Sequence, residues 1–285
     1  LAERHRRQSA RPRRQDLVPR GADRLEPHAR PAEDCLRDSG FTLKRTTIGL
    51  DANGSPTLGS VHGVDIGAAL ASTVTELSIG GANPGEGNQI AGHRIDGVRI
   101  GSNVMQTRIT GNSIHSNNAL GIDLITPSFA TGVTPNDTLD VDAGGNGLRN
   151  YPVLSSATLV GPQTLVSGVL ASAPSASYRV EFFASPACDS SGFGECEPYL
   201  GGATVSTDAA GDASFSVWLP ASAPSGSFVT ATATREPLGA TSEFSACIAL
   251  TGQAGGVFCS ADAALPRATH VAHGRAHPRP RPRRP

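Results

Sequence analysis

Between residues 41 and 130 the apolar residues stand in short alternating triplets bounded by Gly or Asn: Val64-Asp65-Ile66, Leu77-Ser78-Ile79, Val98-Arg99-Ile100, Arg108-Ile109-Thr110 and Ile122-Asp123-Leu124. Such alternation buries one face of a strand of about three to five residues. No segment here carries an apolar period near ~3.6, so helices are not predicted. Residues 88–100 recur 24 positions later as residues 112–124, with Asn88 on Asn112, Ile90 on Ile114, Gly97 on Gly121, Val98 on Ile122 and Ile100 on Leu124. A period in the low twenties, made of thin strands and corner residues that tolerate positive φ, predicts stacked coils. Asn at equivalent corners predicts an amide ladder from coil to coil. Residues 80–87 read as a longer projecting loop. Only about three or four coils fit before residue 125, close to the minimum for a stacked core, so further coils are expected ahead of Phe41.

Beyond residue 152 the pattern lengthens. Alternating strands are predicted at 164–171, 178–184, 199–206, 213–219, 227–234 and 242–250, separated by Ala173-Pro174-Ser175, Asp208–Asp212 and Ala223–Gly226. Strands at that spacing read as an immunoglobulin-like β-sandwich. Val180, Phe182, Phe215, Val217, Phe228 and Phe244 are its bulky core candidates. Trp218 falls on the face opposite Phe215 and Val217, and the pattern leaves open which face is inside.

The stretches Ile48–Gly59, Leu77–Gly81 and Arg108–Asn117 resemble right-handed parallel β-helix proteins with pectate-lyase-like coils. The nearest likeness is to a bacterial surface and secreted group that often carries an N-terminal CSLREA motif, which is absent here. Glu181–Cys188, Gly192–Gly194, Phe228–Thr234 and Ser242–Cys247 resemble the domain that ends many of those proteins, although Arg235–Ala240 departs from the usual turn. The resemblance implies an all-β chain: a right-handed parallel β-helix over 41–130, an acidic connector over 131–152 and an immunoglobulin-like β-sandwich over 153–260. It also implies an extracellular or cell-surface location. Of five cysteines, Cys188 and Cys247 lie in the family-like segments and form the preferred disulfide. Cys196 with Cys259, or Cys188 with Cys196, stay open. No Cys-x-x-Cys spacing suggests zinc.

Composition adds two things. Aromatic residues are 5% and charged residues 17% of the chain, which suits many thin strands. Residues 1–40 hold ten Arg and residues 261–285 six, whereas residues 41–260 hold eight Lys and Arg against 17 Asp and Glu. The basic tails lack the interleaved aromatics of a single-strand-binding surface, and the acidic middle opposes nucleic acid. The tails read as disordered sequence, or as what an out-of-frame reading of GC-rich DNA gives. No apolar run reaches the ~18 residues of a membrane-spanning helix.

Two clusters carry candidate chemistry. Asp140, Asp142 and Asn146 with Gly144 between them, and Asp137 upstream, give alternate oxygen ligands of the kind Ca²⁺ takes on a flexible loop. The competing reading is a linker whose carboxylates cap backbone amides. In the coils, Asp65, Asp96 and Asp123 are the candidate acids; Asp65, Arg99 and Asp123 occupy the middle of equivalent triplets and are expected to form one outward charged row. β-helix lyases and hydrolases place acid and base groups on such a face; a solvated, weakly paired surface is the alternative. His62, His93 and His115 read as exposed turn residues. The expected function is a non-catalytic secreted or cell-surface scaffold for adhesion or glycan contact. The alternative is a polysaccharide lyase or glycoside hydrolase acting through the Asp65/Arg99/Asp123 row.

Overall fold

The computed structural model describes residues 40–67, 75–220 and 223–252. Both Arg-rich tails, with Cys35 and Cys259, lie outside the described residues, as does the remainder, to residue 260, of the span expected to form a sandwich.

Among the described residues nine short strands come first: β1 (Thr42–Leu43), β2 (Thr47–Ile48), β3 (Val64–Ile66), β4 (Leu77–Gly80), β5 (Gln89–Ala91), β6 (Val98–Ile100), β7 (Thr107–Thr110), β8 (Ser113–His115) and β9 (Ile122–Leu124). They form three parallel sheets, β1-β4-β7, β2-β5-β8 and β3-β6-β9. Each third strand returns to the same sheet, so the chain makes three stacked turns. The register carries the repeat: Ile90 faces Ile114, Val98 faces Ile122 and Ile100 faces Leu124. Between β4 and β7 the offset widens, with Leu77 opposite Thr107, because the loop between β4 and β5 is longer than that between β7 and β8.

Inside the turns Ile66, Ile79, Ile90, Val98, Ile100, Ile109, Ile114, Ile122 and Leu124 stack into one buried core. Full burial of each such side chain is worth about 1.5–3 kcal/mol before the entropy of ordering. The corners are tied by amides. Asn112 Oδ1 accepts from the Asn88 backbone N–H and from Asn88 Nδ2, both at 2.9 Å, while Asn112 Nδ2 donates to the Ile79 carbonyl. Asn88 repeats this one turn earlier, accepting from Thr46 N and donating to the Leu43 carbonyl. The predicted ladder is therefore present. Gly80, at φ +82°, lets the next turn pass: a Cβ there would stand 2.1 Å from the Thr110 carbonyl.

Eight more strands follow: β10 (Val153–Val160), β11 (Gln163–Ala171), β12 (Ser177–Ser185), β13 (Tyr199–Ser206), β14 (Asp212–Leu219), β15 (Phe228–Glu236), β16 (Ala240–Thr241) and β17 (Ile248–Thr251). They form one nearly closed, barrel-like sheet in the order β13-β12-β15-β17-β10-β11-β14, with β16 on β15. All its pairs are antiparallel except β10 with β17. Tyr178, Val180, Phe182, Val166, Leu170 and Val229 fill it, and Ala231 and Ala233 leave room for them. Phe215 and Val217 pack against this core and Trp218 points away from it, 53% exposed. Strand β10 was not among the predicted strands. Its register shifts between Leu154 and Ser156, and that bulge breaks the period-two signal. The strand expected over 242–250 is shorter, since residues 242–247 run against the last turn instead. The disulfide joins Cys188 to Cys247, as the resemblance implied, and Cys196 is a free, buried thiol.

The junction is the part the repeat pattern did not describe. The outer edge of the third turn has no fourth turn to pair with, and barrel residues take its place. Ile114 and Cys196 bond reciprocally through their backbones. Thr241 Oγ1 accepts from Ile109 N, Glu181 from Gly111 N, Glu195 from Asn117 N and Glu243 from Leu124 N, at 2.9–3.0 Å. Phe183, Phe244 and Cys196 complete the apolar core of the turns, with the two rings edge to face at 5.6 Å. Buried edge groups left unpaired would each cost about 1–3 kcal/mol, so this closure stabilises the end of the stack.

Candidate functional site

Asp65, Arg99 and Asp123 do stand in one row. They are consecutive register partners at the centres of β3, β6 and β9. The row is not uniformly outward, however. Arg99 Nη1 pairs with Asp65 Oδ1 at 3.0 Å, with both side chains partly exposed. Asp123 is fully buried. After β9 the chain folds back over that position, and Gly132 N donates to Asp123 Oδ1 at 3.1 Å. The triplet rule places every middle residue outside only while nothing lies over the sheet; at β9 residues 126–134 lie over it.

Asp123 belongs to a buried acidic cluster instead. Asp96 is also buried; its Oδ1 accepts from Leu120 N at 3.2 Å and its Oδ2 faces His62 Nδ1 at 3.1 Å. The Asp96 charge acts on Asp123, and the negative charges of both act on Glu243. Glu243 accepts from Leu124 N with Oε1 and from Thr134 N with Oε2, at 3.0 and 2.9 Å. Burial pushes the Asp123 carboxyl up to about 7, with the Asp96 charge adding to it and the Gly132 bond opposing. Burial likewise pushes Glu243 up to about 8 against the pull of its two backbone donors. Asp96 is raised by burial too, and Glu195, at a neighbouring corner, is pushed up to about 7 for the same reason. The Asp123, Glu195 and Glu243 carboxyls so placed hold protons near neutrality.

Asp96 is one of the candidate acids of the coils, whereas nothing in the sequence singles out Glu243. A signal existed for Asp96. Under the 24-residue repeat it aligns with Leu120, a buried apolar position, and its carboxylate is drawn inward to the Leu120 amide. For Glu243 there was none, since its partners lie 109 and 119 residues away.

The histidines differ from expectation as well. His93 is buried, not exposed: its Nδ1 accepts from Ser60 N at 3.2 Å, its backbone N–H donates to Asn117 Oδ1, and burial lowers its pKa. His62 is largely covered beside Asp96, and His115 lies 3.8 Å from Glu197.

The four oxygen-rich connector residues divide between two tasks. Asp140 is buried and bound by Arg149, by Ser172 Oγ and by Asn150 N. Asn146 is buried too; it accepts from Thr107 N and donates to the Thr107 and Thr241 carbonyls, stitching β7 to β16. Asp137 accepts from Val141 N, and Asp142 is exposed. Two of the four are thus committed to protein partners. Among the described residues no group of three or more His, Cys, Asp or Glu gathers to hold a metal ion. The set does not fit a Ca²⁺ ion that needs about six to eight oxygens. Its geometry is that of carboxylate and amide groups capping backbone.

No protein-family model matches the chain. No curated protein matches it either.

Proposed function

We propose that this chain is the closing end of a right-handed parallel β-helix, capped by an immunoglobulin-like sandwich, that serves outside the cell as a non-catalytic scaffold for adhesion or glycan contact. Three parallel sheets visited in rotation support the β-helix reading. Parallel crossovers in one sheet are right-handed in nearly all cases, which supports the hand. Strands β10, β11 and β14 against β12, β13, β15 and β17, with β10 alongside β17, support the sandwich reading. A disulfide closing a 59-residue separation fits an oxidising compartment.

The observation that carries the non-catalytic reading is the state of the charged row. A general acid or base must come within about 3 Å of the glycosidic oxygen or ring proton. Asp123 lies under residues 126–134, and Asp65 is held by Arg99. A lyase or hydrolase acting through this row needs Asp123 uncovered.

The test is to incubate the full chain with a panel of neutral and acidic polysaccharides, measuring retention in affinity gels and release of reducing or unsaturated ends. Retention without release is expected. Release that disappears in both Asp65→Asn and Asp123→Asn would overturn the scaffold reading in favour of the lyase or hydrolase.

A further inference from the structure

We propose that the outer face of the β10-β11-β14 sheet binds an uncharged polysaccharide, with Trp218 as its stacking platform. The proposal rests on the glycan-contact reading and gives it a surface and a ligand class.

The register lays this face out in rows. Thr158, Leu165 and Trp218 are successive cross-strand partners; so are Ser156, Ser167 and Ser216, and so are Val153, Val169 and Ser214. A further hydroxyl extends the first row, with Thr251 Oγ1 3.3 Å from Thr158 Oγ1. Ser167 Oγ and Ser216 Oγ lie 3.0 Å apart, and each hydroxyl has capacity for a further bond. None of these positions holds an Asp, Glu, Lys or Arg, in a region where residues 41–260 carry 17 acidic and eight basic residues.

That combination selects its partner. The exposed Trp218 indole, with Val169 and Val153 exposed on the same face, offers apolar surface for a partner to cover. A sugar ring offers an apolar C–H face to the indole and a rim of hydroxyls to the adjoining Ser and Thr. Three strands span about 10 Å between the outer two, enough for roughly two rings. Uncharged rows suit an uncharged chain, because an anionic polysaccharide would meet Asp212, exposed in the next row opposite Ala171, and acidic surroundings beyond it. An apolar protein segment would leave the Ser167–Ser216 row unsatisfied.

Trp218 is the only tryptophan in the chain, so its fluorescence reports this face alone. The full chain is titrated with hydroxyethyl cellulose, galactomannan and a soluble β-1,3-glucan, with polygalacturonate as the anionic comparison. The expected result is a saturable fluorescence change with at least one neutral glucan or mannan and none with polygalacturonate. Trp218→Ala should lose gel retention at least ~10-fold with an unchanged melting midpoint, since the side chain lies outside the core, and Trp218→Tyr should restore part of it. Retention unaltered in Trp218→Ala overturns this face but leaves the glycan-contact reading standing. No retention of the wild-type chain by any polysaccharide overturns both. A dimer in light scattering that Trp218→Ala converts to monomer would assign the face to a second copy and also overturn the proposal.

Discussion

Raising the pH from about 6.5 to about 8 should weaken this fold, and Glu243 should account for the largest single share. An unfolded glutamate ionises near 4.5, whereas burial pushes Glu243 up to about 8. Over that interval the folded state therefore binds more protons than the unfolded one, so stability falls as pH rises. It is fully present below about 4.5 and is lost progressively toward 8. With about 1.4 kcal/mol per pH unit of difference, Glu243 contributes a loss of about 2 kcal/mol across this window. Asp123 and Glu195, each pushed up to about 7, add up to about 1 kcal/mol apiece by the same arithmetic. His93, which is buried, and His115, which is half-buried, act in the opposite sense. Both are depressed below 6.5, so they cost stability as the pH falls through that value, and above it they return less than about 1 kcal/mol together, short of the carboxyl loss. The assay is urea unfolding followed by far-ultraviolet circular dichroism at several pH values in that window, with the disulfide intact. Glu243→Gln is the control. The amide cannot accept equally from both Leu124 N and Thr134 N, so its midpoint drops, but its pH dependence should be smaller by about 2 kcal/mol across the window. Wild-type stability that is flat or rises with pH, or an identical slope in Glu243→Gln, would refute the reasoning.

Asn112→Ala removes the acceptor of two bonds and the donor of a third, and leaves the buried Asn88 N–H without its partner; a loss of about 2–4 kcal/mol in urea unfolding is expected. Reducing Cys188–Cys247, or replacing both residues by Ser, opens a loop of 59-residue separation and should cost about 4 kcal/mol by chain entropy, read as a lower denaturation midpoint under reductant. Arg149→Met leaves the buried Asp140 carboxylate without its ion-pair partner and should cost about 3–5 kcal/mol, with Asp140→Asn in the same chain recovering part of it. Because Asp140 and Asn146 are held by protein groups, the melting midpoint should be the same in millimolar calcium and in EDTA; a calcium-dependent rise would place an ion in the connector after all.

The sequence displayed the turns because their information is local and repeated. A 24-residue offset copies Ile90, Val98 and Ile100 onto their own neighbours in space, and the corner asparagines copy with them. The antiparallel strands were legible where alternation ran unbroken, as along β11 and β14, and illegible at β10, where a bulge after Leu154 puts two outward residues side by side. The candidate site fared worst, for a definite reason. Periodicity says which face of a strand a residue occupies, but not what later chain will cover that face. Asp65 and Asp123 share a triplet position, yet one meets solvent and Arg99 while the other meets Gly132 and the buried charge of Asp96. Covering an edge takes groups that accept from backbone N–H, and here the barrel supplies them as Glu181, Glu195 and Glu243, none of which belongs to the repeat. Those carboxylates end the stack by standing where a fourth turn would place its own strands. That leaves the β1-β2-β3 side as the one edge of the stack on which another turn can pair.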